Sequence, residues 1–119
     1  GSPAYMRHLV RLRQQLRVQR QAAAQAVARY FPIGTRLSLP AGGLSIWLEL
    51  PEQISASRLY DEALAVGIRI APGDMFSNTG HYDHFMRLSC GMPFTPQVEE
   101  GYRTLGRMMH MQLGMPPRA

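Results

Sequence analysis

FMRLSCGMP, residues 85–93, decides how this 119-residue chain folds. Side chains along a strand point alternately to its two faces. Met86, Leu88 and Cys90 therefore share one face and read as core, while Phe85, Arg87 and Ser89 share the other. Arg87 puts a permanent cation in the middle of an otherwise apolar run. A guanidinium keeps its charge near neutral pH, and burying one without a partner is costly. The second face is thus expected to look onto solvent or onto something outside this chain, with Arg87 at the surface or ion-paired.

Working outward from this strand, a partner precedes it in the sequence. LeuSerIleTrpLeuGluLeu at 44–50 alternates cleanly, with Leu44, Ile46, Leu48 and Leu50 on one side. ThrArgLeuSerLeu at 35–39 precedes it across the turn Pro40-Ala41-Gly42-Gly43, so the two form a hairpin that Pro51 ends. Ser55 or Ser57 can cap a helix that carries Leu59, Ala63 and Val66 inward and stops at Gly67. GlyIleArgIleAlaPro (67–72) follows as a short strand, then the turn ProGlyAsp (72–74) and the polar loop SerAsnThrGlyHisTyrAsp (77–83).

After Pro93, Thr95 caps a last helix with Pro96 in its first turn. Val98, Tyr102, Leu105 and Met109 form its inner stripe, and Gly114 with two prolines closes it. At the other end, Leu9, Leu12, Leu16, Ala23, Val27 and Tyr30 recur at helical spacing from about Ala4 to Tyr30. At about 100° per residue they fall on one stripe of a long amphipathic helix. Arg7, Arg11 and Arg29 lie opposite that stripe, and Arg13, Arg17 and Arg20 flank it. The order α-β-β-α-β-β-α predicts an α+β domain, a short sheet covered by helices.

Composition bounds what such a domain can do. The formal net charge is +5, and every basic residue other than histidine is arginine. Without lysine, no Schiff-base or lysine-general-base chemistry can be carried by this chain alone. A single cysteine, Cys90, permits no internal disulfide and favours an intracellular, cytoplasmic setting. No run approaches the roughly eighteen apolar residues of a membrane span. Gly1-Ser2 reads as an expression scar and residues 3–119 as one domain, a fragment of a larger protein.

Three clusters invite chemistry and fall short on the sequence alone. His81-Tyr82-Asp83-His84 offers imidazole and carboxylate, but a metal needs three or four ligands converging from fixed positions, so a polar loop with His84 entering the strand is expected and no metal. Ala41-Gly42-Gly43 lacks the following helix and the Lys-Ser/Thr pair of a phosphate loop. Met108, Met109, Met111 and His110 suit core and helix surface. The arginine helix is the rival from a different class, a nucleic-acid-binding module. Its arginines span several faces and no aromatic interleaves them before Tyr30, so a salt-sensitive gel shift, lost when Arg13, Arg17 and Arg20 become alanine, is what that reading requires.

AGGLSIWLELPE (41–52), LYDEALAVGIRIAPGDMFS (59–77), FMRLSCGMP (85–93) and VEEGYRTLGRM (98–108) together resemble the carboxyl-terminal small domain of fold-type I pyridoxal-phosphate aminotransferases. More closely they resemble that domain in the MocR subgroup of GntR-family transcriptional regulators, whose leading basic helix is matched by YMRHLVRLRQQLRVQRQA (5–22). The resemblance implies a parent with a DNA-binding winged helix-turn-helix, a linker and an aminotransferase-like module, forming a homodimer. A large domain outside these residues would hold pyridoxal 5'-phosphate on a lysine, and none of the cofactor-binding or catalytic residues would lie here. In the family, the arginine of the RLS motif forms a two-pronged salt bridge with the carboxylate of an amino-acid substrate or effector. That role carries over onto Arg87. The small domain of a metabolic aminotransferase is the alternative within the same resemblance.

Overall fold

The computed structural model describes residues 2–38, 44–68, 70–72 and 83–117. The hairpin turn at 40–43, Arg69, the turn beyond Pro72 and the loop through His81 and Tyr82 lie outside the described residues. Helix α1 runs over Pro3–Tyr30, strand β1 over Arg36–Ser38, β2 over Ser45–Glu49 and helix α2 over Ala56–Ala65. Strand β3 is the pair Ala71–Pro72, β4 spans Phe85–Ser89, and helix α3 spans Pro96–Leu113. The sheet has the order β1-β2-β4-β3 with antiparallel pairing throughout. This is the expected α+β domain and the expected element order.

Local chemistry sets the helix ends. The side chains of Ser2, Ser55 and Thr95 accept hydrogen bonds from the backbone N–H of Tyr5, Arg58 and Val98, so of the two candidate serines it is Ser55 that caps, and Ser57 lies in the first turn of α2. Gly114 follows α3 in the left-handed conformation at φ 68°, where a side chain would be strained.

Register sorts the sheet into two faces. Trp47 lies opposite Arg87, Leu48 opposite Met86, Ile46 opposite Leu88, and Arg36 opposite Glu49. Ile46, Leu48, Met86 and Leu88 are buried and join one core with Ala23, Ala26, Val27 and Tyr30 of α1, Leu59 and Ala63 of α2, and Tyr102, Leu105 and Met109 of α3. The opposite face carries Arg36, Ser38, Ser45, Trp47, Glu49, Phe85, Arg87 and Ser89, all exposed or half-buried. Two expected core positions lie outside this pattern. Leu44 precedes β2 and is exposed, and Val66 follows the last turn of α2 and is exposed as well.

The largest departure concerns α1. Leu9, Leu12 and Leu16 continue the inner stripe in sequence, yet Leu12 is 43% exposed and burial begins only at Ala23. A helix of 28 residues is about 42 Å long at 1.5 Å per residue, while the two shorter extents of the whole chain are 33 and 26 Å. The amino-terminal half of α1 therefore runs past the body, leaving Tyr5, Met6, Val10 and Val18 exposed. Periodicity identifies the apolar face but not where the body beneath it ends. No helix among the described residues is long and apolar enough to cross a membrane.

Tyr102 sits at the centre of the core, its ring centroid 6.0 Å from that of Phe31 and 5.6 Å from that of Phe94. Burial, reinforced by the neighbouring Cys90 thiol, pushes its phenol up to about 12 from an ordinary 10.0. The folded state holds this proton more tightly than the unfolded chain, so the associated stability is complete below pH 10 and falls as pH rises towards 12. The loss is expected to be on the order of 2 kcal/mol, seen as a falling urea midpoint over that window. Tyr102→Phe should reduce the slope, leaving the part that the raised Cys90 thiol and Tyr30 phenol contribute in the same direction.

Candidate functional site

The outer face of β2 and β4 is open, its side chains exposed or half-buried. Arg87 projects there from the middle of β4, half-buried, with its guanidinium carbon 5.3 Å from the centroid of the Trp47 ring. A cation over an indole face is attracted by the ring quadrupole. Of the two expected alternatives, surface or ion-paired, Arg87 takes the first, half-buried on the outer face and in no ion pair among the described residues. Trp47 is the partner that sequence inspection passed over. Alternation already puts it on the face opposite Ile46 and Leu48, but only the register brings it across from Arg87.

Around this pair the other charges are committed. His84 is buried, and its Nε2 donates to Glu49 Oε2 at 3.3 Å while its ring lies 4.5 Å from that of Phe85. His84 thus enters the strand as expected, but as a packed side chain holding the one acidic residue of the outer face among the described residues. Asp83, expected in a solvated loop, instead ties β4 to the start of α2. Its carboxylate accepts from Ser55 Oγ at 2.5 Å, Ser57 Oγ at 2.5 Å and the Ser57 N–H at 3.1 Å, and its carbonyl accepts from the Ala56 N–H at 2.6 Å. Gln112 of α3 closes the junction, accepting from the Ser55 N–H at 2.8 Å and donating to the Ser55 carbonyl at 3.2 Å. A rigid base therefore lies four residues before Arg87.

The remaining candidates resolve into structure. The metal cluster is half outside the described residues, and its described members Asp83 and His84 are taken up by the contacts above. Cys90 is buried, and burial pushes its thiol up, which disfavours the reactive thiolate. His110 is buried on α3, where its Nδ1 donates to the Gly106 carbonyl at 2.7 Å. On α1, Arg13 and Arg17 are exposed and Arg20 is half-buried.

The chain is thus a two-layer domain, helices over one face of the sheet, with an open face bearing an arginine. It superposes on LysN, an α-aminoadipate aminotransferase of Thermus thermophilus solved with N-(5'-phosphopyridoxyl)-L-leucine, at a TM-score of 0.80 and 32% identity, over 94% of this chain and 29% of that one. The kynurenine aminotransferase of Pyrococcus horikoshii shares the fold at a TM-score of 0.79. In sequence the chain is 37% identical to the uncharacterised HTH-type transcriptional regulator YdcR of Escherichia coli across 92% of its length, and 33% identical to the 2-aminoadipate transaminase of T. thermophilus across 88%. It spans 23% and 26% of those two proteins, about a quarter of their length. No protein-family model matches. In sequence and fold the chain thus matches one segment of HTH-type transcriptional regulators and of aminotransferases.

Such relatives imply pyridoxal phosphate. This chain has no lysine to anchor an aldehyde covalently, so its own residues do not fit that role.

Proposed function

We propose that this chain is the small, effector-closing domain of a cytoplasmic, homodimeric MocR-type regulator of the GntR family, and that Arg87 grips the carboxylate of an amino-acid-like effector. In this reading a large domain holds the cofactor and an amino-terminal winged helix-turn-helix binds DNA. The observation that carries it is the Arg87 guanidinium, presented on the open sheet face without an acidic partner among the described residues. A planar fork of donors matches a carboxylate with two parallel hydrogen bonds, which a lysine cannot reproduce. An effector bridging Arg87 and the large domain would favour the closed arrangement in proportion to its differential affinity for it, and so bias transcription.

Calorimetric titration of the full-length protein with L-amino acids, L-2-aminoadipate included, tests this. Arg87→Ala should weaken binding of the best ligand about 100-fold, roughly 3 kcal/mol, with Arg87→Lys recovering only part. DNA affinity, cofactor loading and melting temperature should stay close to wild type, because the side chain faces away from the core. An unchanged titration curve would remove the proposal. The 33% identity to a transaminase supports a second reading, the small domain of a metabolic aminotransferase. A full reading frame without a winged helix-turn-helix would favour that one.

A further inference from the structure

We infer that Trp47 is a positioning residue for Arg87, holding the guanidinium by its face so that its edge stays available to a carboxylate; this rests on the carboxylate role proposed above. Trp47 and Arg87 are direct cross-strand partners on the same face, and the guanidinium carbon lies 5.3 Å from the indole centroid. A guanidinium donates hydrogen bonds in its plane, around the edge, whereas an aromatic ring attracts it from above or below. The two interactions use different parts of the group and can coexist. An acidic neighbour would instead occupy the edge that the ligand needs. Among the described residues the acidic side chain of this face, Glu49, is paired with His84 instead.

This arrangement also answers a need of an arginine that waits for its anion. An unrestrained arginine loses much rotamer freedom when it captures a ligand, which lowers affinity. One already held by a ring loses less, and Trp47 offers the largest aromatic face for the purpose. Trp47 is 39% exposed, so core packing alone does not account for so large a ring at this position. Its substitution is expected to act on ligand discrimination with little cost in folding.

The test compares Trp47→Phe, which keeps a ring, with Trp47→Leu, which keeps apolar bulk and loses the ring face. Both are measured in the full-length, cofactor-loaded protein. The probes are the proteinogenic L-amino acids and L-2-aminoadipate, each paired with the amine that lacks only its carboxylate, and the quantity read is the ratio of the two dissociation constants. For the best-binding pair, Trp47→Leu should cut the preference for the acid about tenfold, and Trp47→Phe should stay within about threefold of wild type. Amine affinity should not move in either variant. If the leucine and phenylalanine variants keep equal preferences, or if acid and amine weaken together, Trp47 is merely structural and the inference is overturned. Arg87→Ala separates the two levels. Loss of preference there with none in Trp47→Leu leaves the carboxylate role standing and removes only the positioning role. Unchanged preference in Arg87→Ala, or no preference in the wild type, removes both.

Discussion

Gly106→Ala is expected to destabilise the domain by about 3 kcal/mol, lowering its melting temperature on the order of 10 °C. A Cβ at this position would lie 2.3 Å from the Tyr30 carbonyl oxygen, 2.9 Å from the Tyr30 carbonyl carbon and 3.1 Å from the Tyr30 Cβ. The first two atoms are backbone of α1, so no rotamer change can relieve the overlap. The helices must separate, and with them the buried contacts of Ala23, Val27, Tyr102 and Leu105. Gly101→Ala, one turn and a little more away on the same helix, meets nothing within 4 Å. It should be neutral or stabilising by up to about 1 kcal/mol, since alanine is the better helix former. Thermal and urea unfolding of the two variants side by side gives the result. Equal stability would mean that α1 and α3 do not cross as closely as described.

Asp83→Ala is expected to cost about 3 kcal/mol by another route. It leaves the hydroxyls of Ser55 and Ser57 and the Ser57 N–H without their acceptor, and removes a negative charge from the N-terminus of α2, where the helix dipole favours one. Asp83→Asn keeps an acceptor but not the charge and should lose only about half as much. Under the carboxylate role proposed for Arg87 the effect should reach ligand binding, because Asp83 anchors the chain just before β4 and Arg87 lies four residues beyond that anchor. In the full-length protein Asp83→Ala should thus weaken amino-acid binding as well as lower the urea midpoint. A variant as stable as wild type would mean that the Asp83 contacts do not hold the junction.

Most of the fold is legible in the sequence because its signals are local. Alternation at 44–50 and 85–90, the caps at Ser55 and Thr95, and the stop at Gly114 each depend on residues within one or two turns. What escapes is set by chain segments far apart. Asp83 reads as loop until α2, 26 to 28 residues earlier, is brought against it. Gly106 reads as a weak point in a helix until Tyr30 arrives across it. The overhang of α1 escapes for a related reason, since an apolar stripe shows which side of a helix is buried but not what length of it finds a partner. Of the candidate site, the outward turn of Arg87 follows from periodicity, and the proposed carboxylate from resemblance. Trp47 beneath it required the pairing register.

The two faces of the sheet also bear on how such a domain diverges. Side chains at 46, 48, 86 and 88 face the core, and those at 36, 45, 47, 49, 85, 87 and 89 lie on the other side of the sheet. The pleat thus separates two sets of heritable choices that interleave residue by residue along the same strands. Substitutions at the odd-numbered positions of β4 can change what the outer face presents without disturbing the packed one. One scaffold can in this way carry different outer faces over the same packed one.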